Sequence, residues 1–78
     1  MPNEGLTTEQ RRALQMLAAA PNGCTEPALR GRGFAVGLMV GLVGAGLAGA
    51  KPETMKAAGR SFGVVRFLIT DRGRAALG

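Results

Sequence analysis

Between Thr8 and Ala20, apolar residues recur at the spacing that is typical of an amphipathic helix. The inward side of that helix would hold Ala13, Leu14, Leu17 and Ala18. Thr7 and Gln10 have the spacing of a capping box, and the sequence Pro21-Asn22-Gly23 breaks the pattern. We therefore expect a first helix over residues 8–20.

Two later positions carry a threonine followed by an acidic residue, which is the pattern of a helix start. The threonine hydroxyl can accept a hydrogen bond from a first-turn N–H, and the carboxylate lies at the positive end of the helix dipole. Thr25-Glu26 therefore predicts a short second helix with Pro27 in its first turn. This helix would end at Gly31 or Gly33. Thr70-Asp71 predicts a terminal helix.

The segment from Phe34 to Ala50 contains no charged residue and no hydroxyl group. On a helical wheel it divides into three stripes, which are Val36, Met39, Val40, Val43 and Leu47, then Leu38, Leu42 and Ala45, then Gly37, Gly41 and Gly44. We interpret it as a third helix in the protein core, with a self-association surface and a membrane span as the alternatives. The small-residue spacing is typical of packed transmembrane helices, but a span needs about 20 predominantly apolar residues and this run is shorter.

The end of the chain alternates in the manner of a half-buried strand. Its inward residues would be Val65, Phe67 and Ile69. We expect strands over residues 54–58 and 61–69, joined by a type II′ turn at Gly59-Arg60. Residues 47–50 could add a strand that pairs with the last one, with Pro52 as an interruption. A short helix over residues 51–59 is the alternative for this region.

These apolar faces predict a single core. Its members would be Leu14, Leu17, Leu29, Val36, Val40, Val43, Leu47, Phe67, Ile69 and Leu77. A chain of 78 residues supports one small domain. We expect that domain over residues 7–78, after a flexible N-terminal segment over residues 1–6.

The charge balance indicates the kind of partner. Lys and Arg total 10 against 5 for Asp and Glu, which gives a formal charge of +5 and a pI near 11.2. This balance favours polyanionic partners, first nucleic acid and then an anionic membrane surface. The sequence has no His and a single Cys, Cys24, so we expect neither a zinc site nor an intramolecular disulfide.

The same residue inventory argues against catalysis. With no His and with 5 acidic residues, several of them at helix starts, no nucleophile–base pair can be assembled. We expect no enzyme activity, no cofactor and no small-molecule ligand. The N-terminus lacks the basic start and apolar run of a signal peptide, and a single Cys suits a reducing compartment, so we expect a cytoplasmic location.

Two segments resemble the winged-helix class of helix-turn-helix domains, in particular the compact form of bacterial repressors of the multiple-antibiotic-resistance type. The segment Leu42-Val-Gly-Ala-Gly-Leu-Ala48 is similar to the end of a third helix that leads into the first wing strand. The segment Ile69-Thr-Asp-Arg-Gly-Arg-Ala-Ala-Leu77 is similar to the exit from the wing. The resemblance implies an α+β winged helix, with a three-helix core, a C-terminal β-hairpin wing and a short terminal helix.

The resemblance also implies DNA binding of the transcription-regulator kind, with the third helix in the major groove and the wing on the backbone or minor groove. The third helix, from Ala35 to Ala45, has none of the side chains that read base edges. We therefore expect phosphate contacts with duplex DNA in place of base readout. The expected nucleic-acid-binding residues are Arg30, Arg32, Lys51, Lys56, Arg60 and Arg66.

The alternative function is protein–protein interaction or homodimerisation. An apolar third helix that is exposed on one side would leave a hydrophobic strip of the kind that monomers usually cover. The expected protein-interaction residues are Gly37, Leu38, Gly41 and Leu42.

Overall fold

The computed structural model describes residues 6–78, which form an α+β fold. Within that range lie four helices and one three-stranded antiparallel sheet. In chain order the elements are α1 (Thr8–Ala18), β1 (Cys24–Thr25), α2 (Glu26–Gly31), α3 (Val36–Gly44), β2 (Ala48–Ala57), β3 (Arg60–Ile69) and α4 (Asp71–Leu77). The predicted flexible segment lies outside the described residues except for Leu6, which packs against the core.

α1 begins with the predicted capping box. The Thr7 hydroxyl accepts a hydrogen bond from the Gln10 backbone N–H at 3.0 Å, and the Gln10 side-chain oxygen accepts one from the Thr7 N–H at 2.9 Å. Both bonds satisfy N–H groups that have no partner within the helix. The helix ends at Ala18, earlier than expected, because Pro21 disfavours helical backbone at the residue before it.

The threonines ahead of α2 and α4 are the predicted N-caps. Thr25 accepts a hydrogen bond from the Ala28 N–H at 3.4 Å, and Thr70 accepts one from the Gly73 N–H at 3.0 Å. The Thr70 hydroxyl also donates to the Gly46 carbonyl oxygen at 2.7 Å. Thr70 therefore both starts α4 and ties it to the turn between α3 and β2.

The sheet has β3 in the middle, between β1 and β2. The two-residue strand β1, which the sequence pattern does not predict, pairs with the base of β3, where Cys24 lies opposite Phe67. β2 pairs with β3 along its whole length and passes through Pro52 without a break. Proline is tolerated there because β2 is an edge strand, and within residues 6–78 no strand pairs with its outer side. The predicted interruption at this proline and the alternative helix over residues 51–59 are both wrong.

The hairpin turns at Ala58-Gly59, one residue before the predicted turn at Gly59-Arg60. Both turn residues have positive φ, 52° and 77°, which is the conformation of a type I′ turn. Gly59 adopts it without a steric penalty, whereas Ala58 does so under strain. Because alanine rarely occupies this conformation, a sequence pattern favours glycine as the first turn residue, and the predicted type II′ turn is wrong for that reason.

The core collects side chains from three helices and the sheet. Its buried residues are Ala13, Leu14, Leu17, Leu29, Met39, Leu42, Ala48 and Phe67. Four other predicted members are partly buried against this cluster, namely Val43, Leu47, Ile69 and Leu77. The core therefore lies where α1, α2 and α3 meet the base of the hairpin.

The predicted inward face of α3 is wrong in part. Val36 and Val40 are 37% and 60% exposed, whereas Met39 and Leu42 are 1% and 0% exposed. Leucine and methionine are longer than valine, so this orientation removes more apolar area from water. α3 has no polar residue on any face, so its sequence pattern does not determine which side turns inward.

Candidate nucleic-acid interface

The hairpin of β2 and β3 extends well beyond the core. Each strand has ten residues, but their buried residues, Ala48 and Phe67, lie near the body of the protein. At about 3.3 Å per residue, the hairpin rises about 23 Å from the Ala50–Phe67 pair to the Ala57–Arg60 pair. This projection agrees with the elongated shape of the molecule, 49 × 22 × 21 Å. We call residues 54–63 the hairpin tip.

The hairpin tip carries two cations and no acidic residue. Lys56 and Arg60 are both exposed, and neither forms an ion pair with any of the described residues. In the strand register Lys56 lies opposite Ser61, and Arg60 lies opposite Ala57. Since successive residues of a strand point to opposite faces, the two cations lie on opposite faces of the hairpin. The hairpin tip therefore presents positive charge on both sides.

Arg66 lies at the base of the hairpin. Its Nε is 2.9 Å from Glu53 Oε1, and its Nη1 donates to the Asn22 carbonyl oxygen at 3.2 Å. Lys51 lies directly opposite Arg66 and is exposed. Arg66, one of the expected nucleic-acid-binding residues, does not project together with the tip cations, because about 20 Å of strand separates it from the turn. Arg66 instead links the turn between α1 and β1 to the sheet.

The two arginines at the end of α2 form a separate group. Arg30 Nη1 is 3.4 Å from Glu26 Oε2 one helical turn earlier, so a carboxylate partly balances its charge. Arg32, the C-cap residue, is exposed and lines a shallow groove of about 570 Å³ with Arg12 and Phe34. α2 directly follows β1, which pairs with the base of β3. The structure thus distributes the six predicted basic residues among the end of α2, the hairpin base and the hairpin tip.

The structure divides the predicted interaction stripe of α3. Leu42 is buried and Leu38 is partly buried against the core, so the prediction that both lie on an exposed surface is wrong. Their side chains face the core because α3 turns its longest apolar residues inward. The exposed residues of α3, which we call the α3 surface, are Val36, Gly37, Val40, Gly41 and Gly44. No side chain of the α3 surface can donate or accept a hydrogen bond, so the α3 surface cannot read base edges through its side chains.

The hairpin tip also holds an exposed apolar pair that the sequence pattern did not reveal. Met55 and Phe62 lie directly opposite each other and are 40% and 45% exposed. By strand alternation they lie on the face opposite that of the buried Phe67. The sequence reveals this pair only if the turn is placed at Ala58-Gly59. The predicted turn, one residue later, would place Phe62 opposite Ala57.

The described residues hold neither a membrane-spanning helix nor a metal site. Within residues 6–78, no helix is both long and apolar enough to cross a bilayer. No group of three His, Cys, Asp or Glu side chains in that range is arranged to hold a metal ion. No family model matches the chain, and no curated protein or solved structure matches it. Function must therefore be inferred from the geometry, burial and charge of the surfaces described above.

Proposed function

We propose that this protein is a non-catalytic winged-helix domain of the cytoplasm that binds duplex DNA through phosphate contacts, in the manner of a transcription regulator. The observation that carries the proposal is the hairpin tip, which extends past the core and holds Lys56 and Arg60 without any acidic residue. Phosphate contacts need exposed cations that no carboxylate already neutralises. Arg30 and Arg66 meet this condition less well, because each has a glutamate partner.

The order of elements supports a winged helix. Three helices precede the long hairpin and a short helix follows it, as the resemblance requires. The segment 42–48 contains the end of α3 and the start of β2, and the segment 69–77 contains the end of β3 and all of α4. β1 joins the base of the hairpin to the connection between α1 and α2, and it leaves the hairpin tip free.

Binding of this kind is electrostatic and largely independent of base sequence. Each phosphate that a lysine or arginine neutralises releases about 0.9 counterion from duplex DNA, so affinity falls steeply with salt. Contacts from the hairpin tip would position the protein on the duplex, and the α3 surface would add no direct base readout. A strong salt dependence with little sequence preference is therefore the expected signature.

A salt titration of duplex binding with the double variant Lys56→Ala/Arg60→Ala tests this function. We expect affinity to fall alike for all duplex sequences, and the slope of log Kd against log salt to decrease in magnitude by about 2. Fluorescence anisotropy with labelled duplexes, between about 50 and about 200 mM salt, measures both quantities.

The matched control is Arg12→Ala/Arg74→Ala, which removes the same charge from exposed positions on α1 and α4. We expect this control to lower affinity less than the tip variant and to keep most of the salt slope. Equal losses in the two double variants would show that net charge determines binding, and they would contradict a role for the hairpin tip.

The α3 surface supports a second candidate function, which is association with a second copy of this chain. A Cβ atom added at Gly37, Gly41 or Gly44 would meet no other atom within 4 Å, so the packing of the monomer does not require glycine there. Glycine in a helix interior costs about 1 kcal/mol relative to alanine. The α3 surface is also uncharged, so two copies of a chain with a charge of +5 can meet on it with the least local charge repulsion.

Sedimentation velocity tests this second function. We expect a dimer for the wild type and a folded monomer for Gly41→Glu, which places a charge and extra volume on the α3 surface. Ala75→Glu, at an exposed position on α4, is the matched control and should remain dimeric. A wild type that sediments as a monomer at high protein concentration would exclude self-association.

A further inference from the structure

The Met55–Phe62 pair is an apolar feature that the proposed phosphate contacts do not use. The two residues are cross-strand partners, and neither belongs to the core cluster or to the residues packed against it. On the same face of the hairpin, the next pair toward the turn is Ala57–Arg60. A large aromatic side chain and a thioether are therefore exposed beside a cation, beyond the body of the protein.

The combination of charge and hydrophobicity restricts the partner of this face. On this face the hairpin tip carries Arg60 and no acidic residue, and the next acidic residue along the face, Glu53, is already paired with Arg66, so an anionic partner is favoured. The same partner must offer an apolar surface near its negative charge in order to cover Phe62. Arg60 and Phe62 lie two residues apart on one strand face, about 7 Å along the strand. One side chain can thus contact a base while the other reaches a neighbouring phosphate.

Only some forms of DNA expose a base face to such a side chain. In a matched duplex the bases are stacked on one another, and inserting a wedge between them costs unstacking energy. Unpaired bases expose a flat face on which an aromatic ring can stack, and this stacking tolerates any base identity. An aromatic residue beside a cation matches the groups that bind single-stranded segments elsewhere.

We propose that Phe62 stacks on unpaired bases, with Met55 extending the apolar area, so that this protein binds gapped DNA more tightly than a fully matched duplex. The inference rests on the proposed phosphate contacts, because Arg60, on the same face of the hairpin as Phe62, would hold the strand beside the stacked base. It adds a substrate class to the proposed function, namely DNA in which some bases are unpaired.

The test compares the wild type with Phe62→Ala on a matched duplex and on the same duplex with a short single-stranded gap that contains 2-aminopurine. We expect the wild type to prefer the gapped DNA and to change the 2-aminopurine fluorescence on binding. Phe62→Ala should weaken binding to gapped DNA by roughly 5- to 150-fold, the range for loss of one base–aromatic stack. It should leave the affinity for matched duplex and the salt slope unchanged.

Two further variants make the result specific. Phe62→Leu keeps an apolar side chain but removes the ring, so it should lose the fluorescence change along with most of the preference for gapped DNA. Val40→Ala truncates an apolar side chain of α3 that is 60% exposed, and it should leave the ratio of gapped to matched affinity unchanged. Circular dichroism should show that all three variants are folded, because neither altered side chain belongs to the buried core.

The outcomes separate this inference from the function on which it rests. If Phe62→Ala keeps the wild-type ratio of gapped to matched affinity while duplex binding remains salt-dependent, stacking is overturned and the phosphate contacts stand. If the wild type binds neither DNA at low salt, both proposals are overturned. Binding to vesicles of anionic phospholipid that Phe62→Ala abolishes would then assign the hairpin tip to a membrane surface.

Discussion

Replacement of Gly73 by alanine sets two physical effects against each other. Gly73 lies in the first turn of α4, where alanine is the better helix former by about 1 kcal/mol. The packing around Gly73 predicts instead that alanine destabilises the protein. Gly73 is buried, and a Cβ atom at this position would collide with the Leu47 carbonyl oxygen and lie 2.8 Å from Ile69 Cγ1.

The structure cannot relieve this collision cheaply. The Leu47 carbonyl oxygen accepts a hydrogen bond from the Thr70 N–H at 3.2 Å, so a shift of that carbonyl disturbs the joint between α4 and the start of β2. Overpacking costs about 1–3 kcal/mol, and a collision with backbone belongs at the upper end of that range. After the gain in helix propensity is deducted, we expect Gly73→Ala to lower the free energy of unfolding by about 2 kcal/mol. For a domain of this size, that loss lowers Tm by about 8–16 °C.

Thermal unfolding followed by far-UV circular dichroism measures this effect. Gly41→Ala is the matched control, because it makes the same change in a helix where the added Cβ meets no atom within 4 Å. The control should raise Tm by several degrees through helix propensity alone. Both variants should be compared at a protein concentration at which the chain is monomeric. A Gly73→Ala protein that melts at or above the wild-type Tm would refute the close packing of α4 on Leu47.

Three further predictions concern the caps, the core and the turn, and denaturant unfolding measures all of them. Thr70→Ala loses both hydrogen bonds of its hydroxyl and should cost about 1–2 kcal/mol, while Thr70→Ser should stay near the wild type; equal losses would mean that the methyl group is what matters. Leu42→Ala should cost about 2–5 kcal/mol and Val40→Ala less than about 0.5 kcal/mol, and similar losses would contradict the orientation of α3. Ala58→Gly should stabilise by about 0.5 kcal/mol by relieving strain at positive φ, and a destabilised variant would contradict the type I′ turn.

Features that depend on a few neighbouring residues can be predicted from this sequence. The capping box of Thr7 and the N-caps Thr25 and Thr70 form as expected, because each needs only a side-chain oxygen and an N–H two or three residues later. The inward residues of α1 can also be predicted, since polar side chains mark the opposite face of that helix.

Features that depend on packing between elements cannot be predicted in the same way. α3 has no polar face, so its orientation is decided by which side chains fill the space beside α1 and the sheet, and that choice buries Leu42 and exposes Val40. The strand β1 has two residues, too few to show any alternation. It exists because β3 offers a pairing edge at Phe67, a feature of tertiary structure.

The candidate site shows the same division between local and tertiary information. Position near a turn places Lys56 and Arg60 in the hairpin tip, as expected. The strand register decides on which face of the hairpin each of these two cations lies, and it pairs Met55 with Phe62. The turn fixes this register, and it does so with Ala58 at a positive φ, which is strained for alanine. Arg66 pairs with Glu53 on the neighbouring strand and donates to the Asn22 carbonyl oxygen in a distant turn. No spacing in the sequence predicts either contact.

The α3 surface and the hairpin tip lie on different elements, so one chain can use both. α3 packs against β2, whereas the hairpin tip lies at the far end of that strand. A single tip offers two cations, which supports only weak, salt-sensitive binding. Two copies joined symmetrically through α3 would present two hairpin tips to one duplex. Once the first tip is bound, the second would bind the same duplex at high effective concentration, so the overall affinity would rise. Gly41→Glu would in that case weaken binding to a long duplex, whereas Lys56→Ala/Arg60→Ala would leave the dimer intact. A Gly41→Glu monomer with undiminished duplex affinity would instead show that the two surfaces act independently.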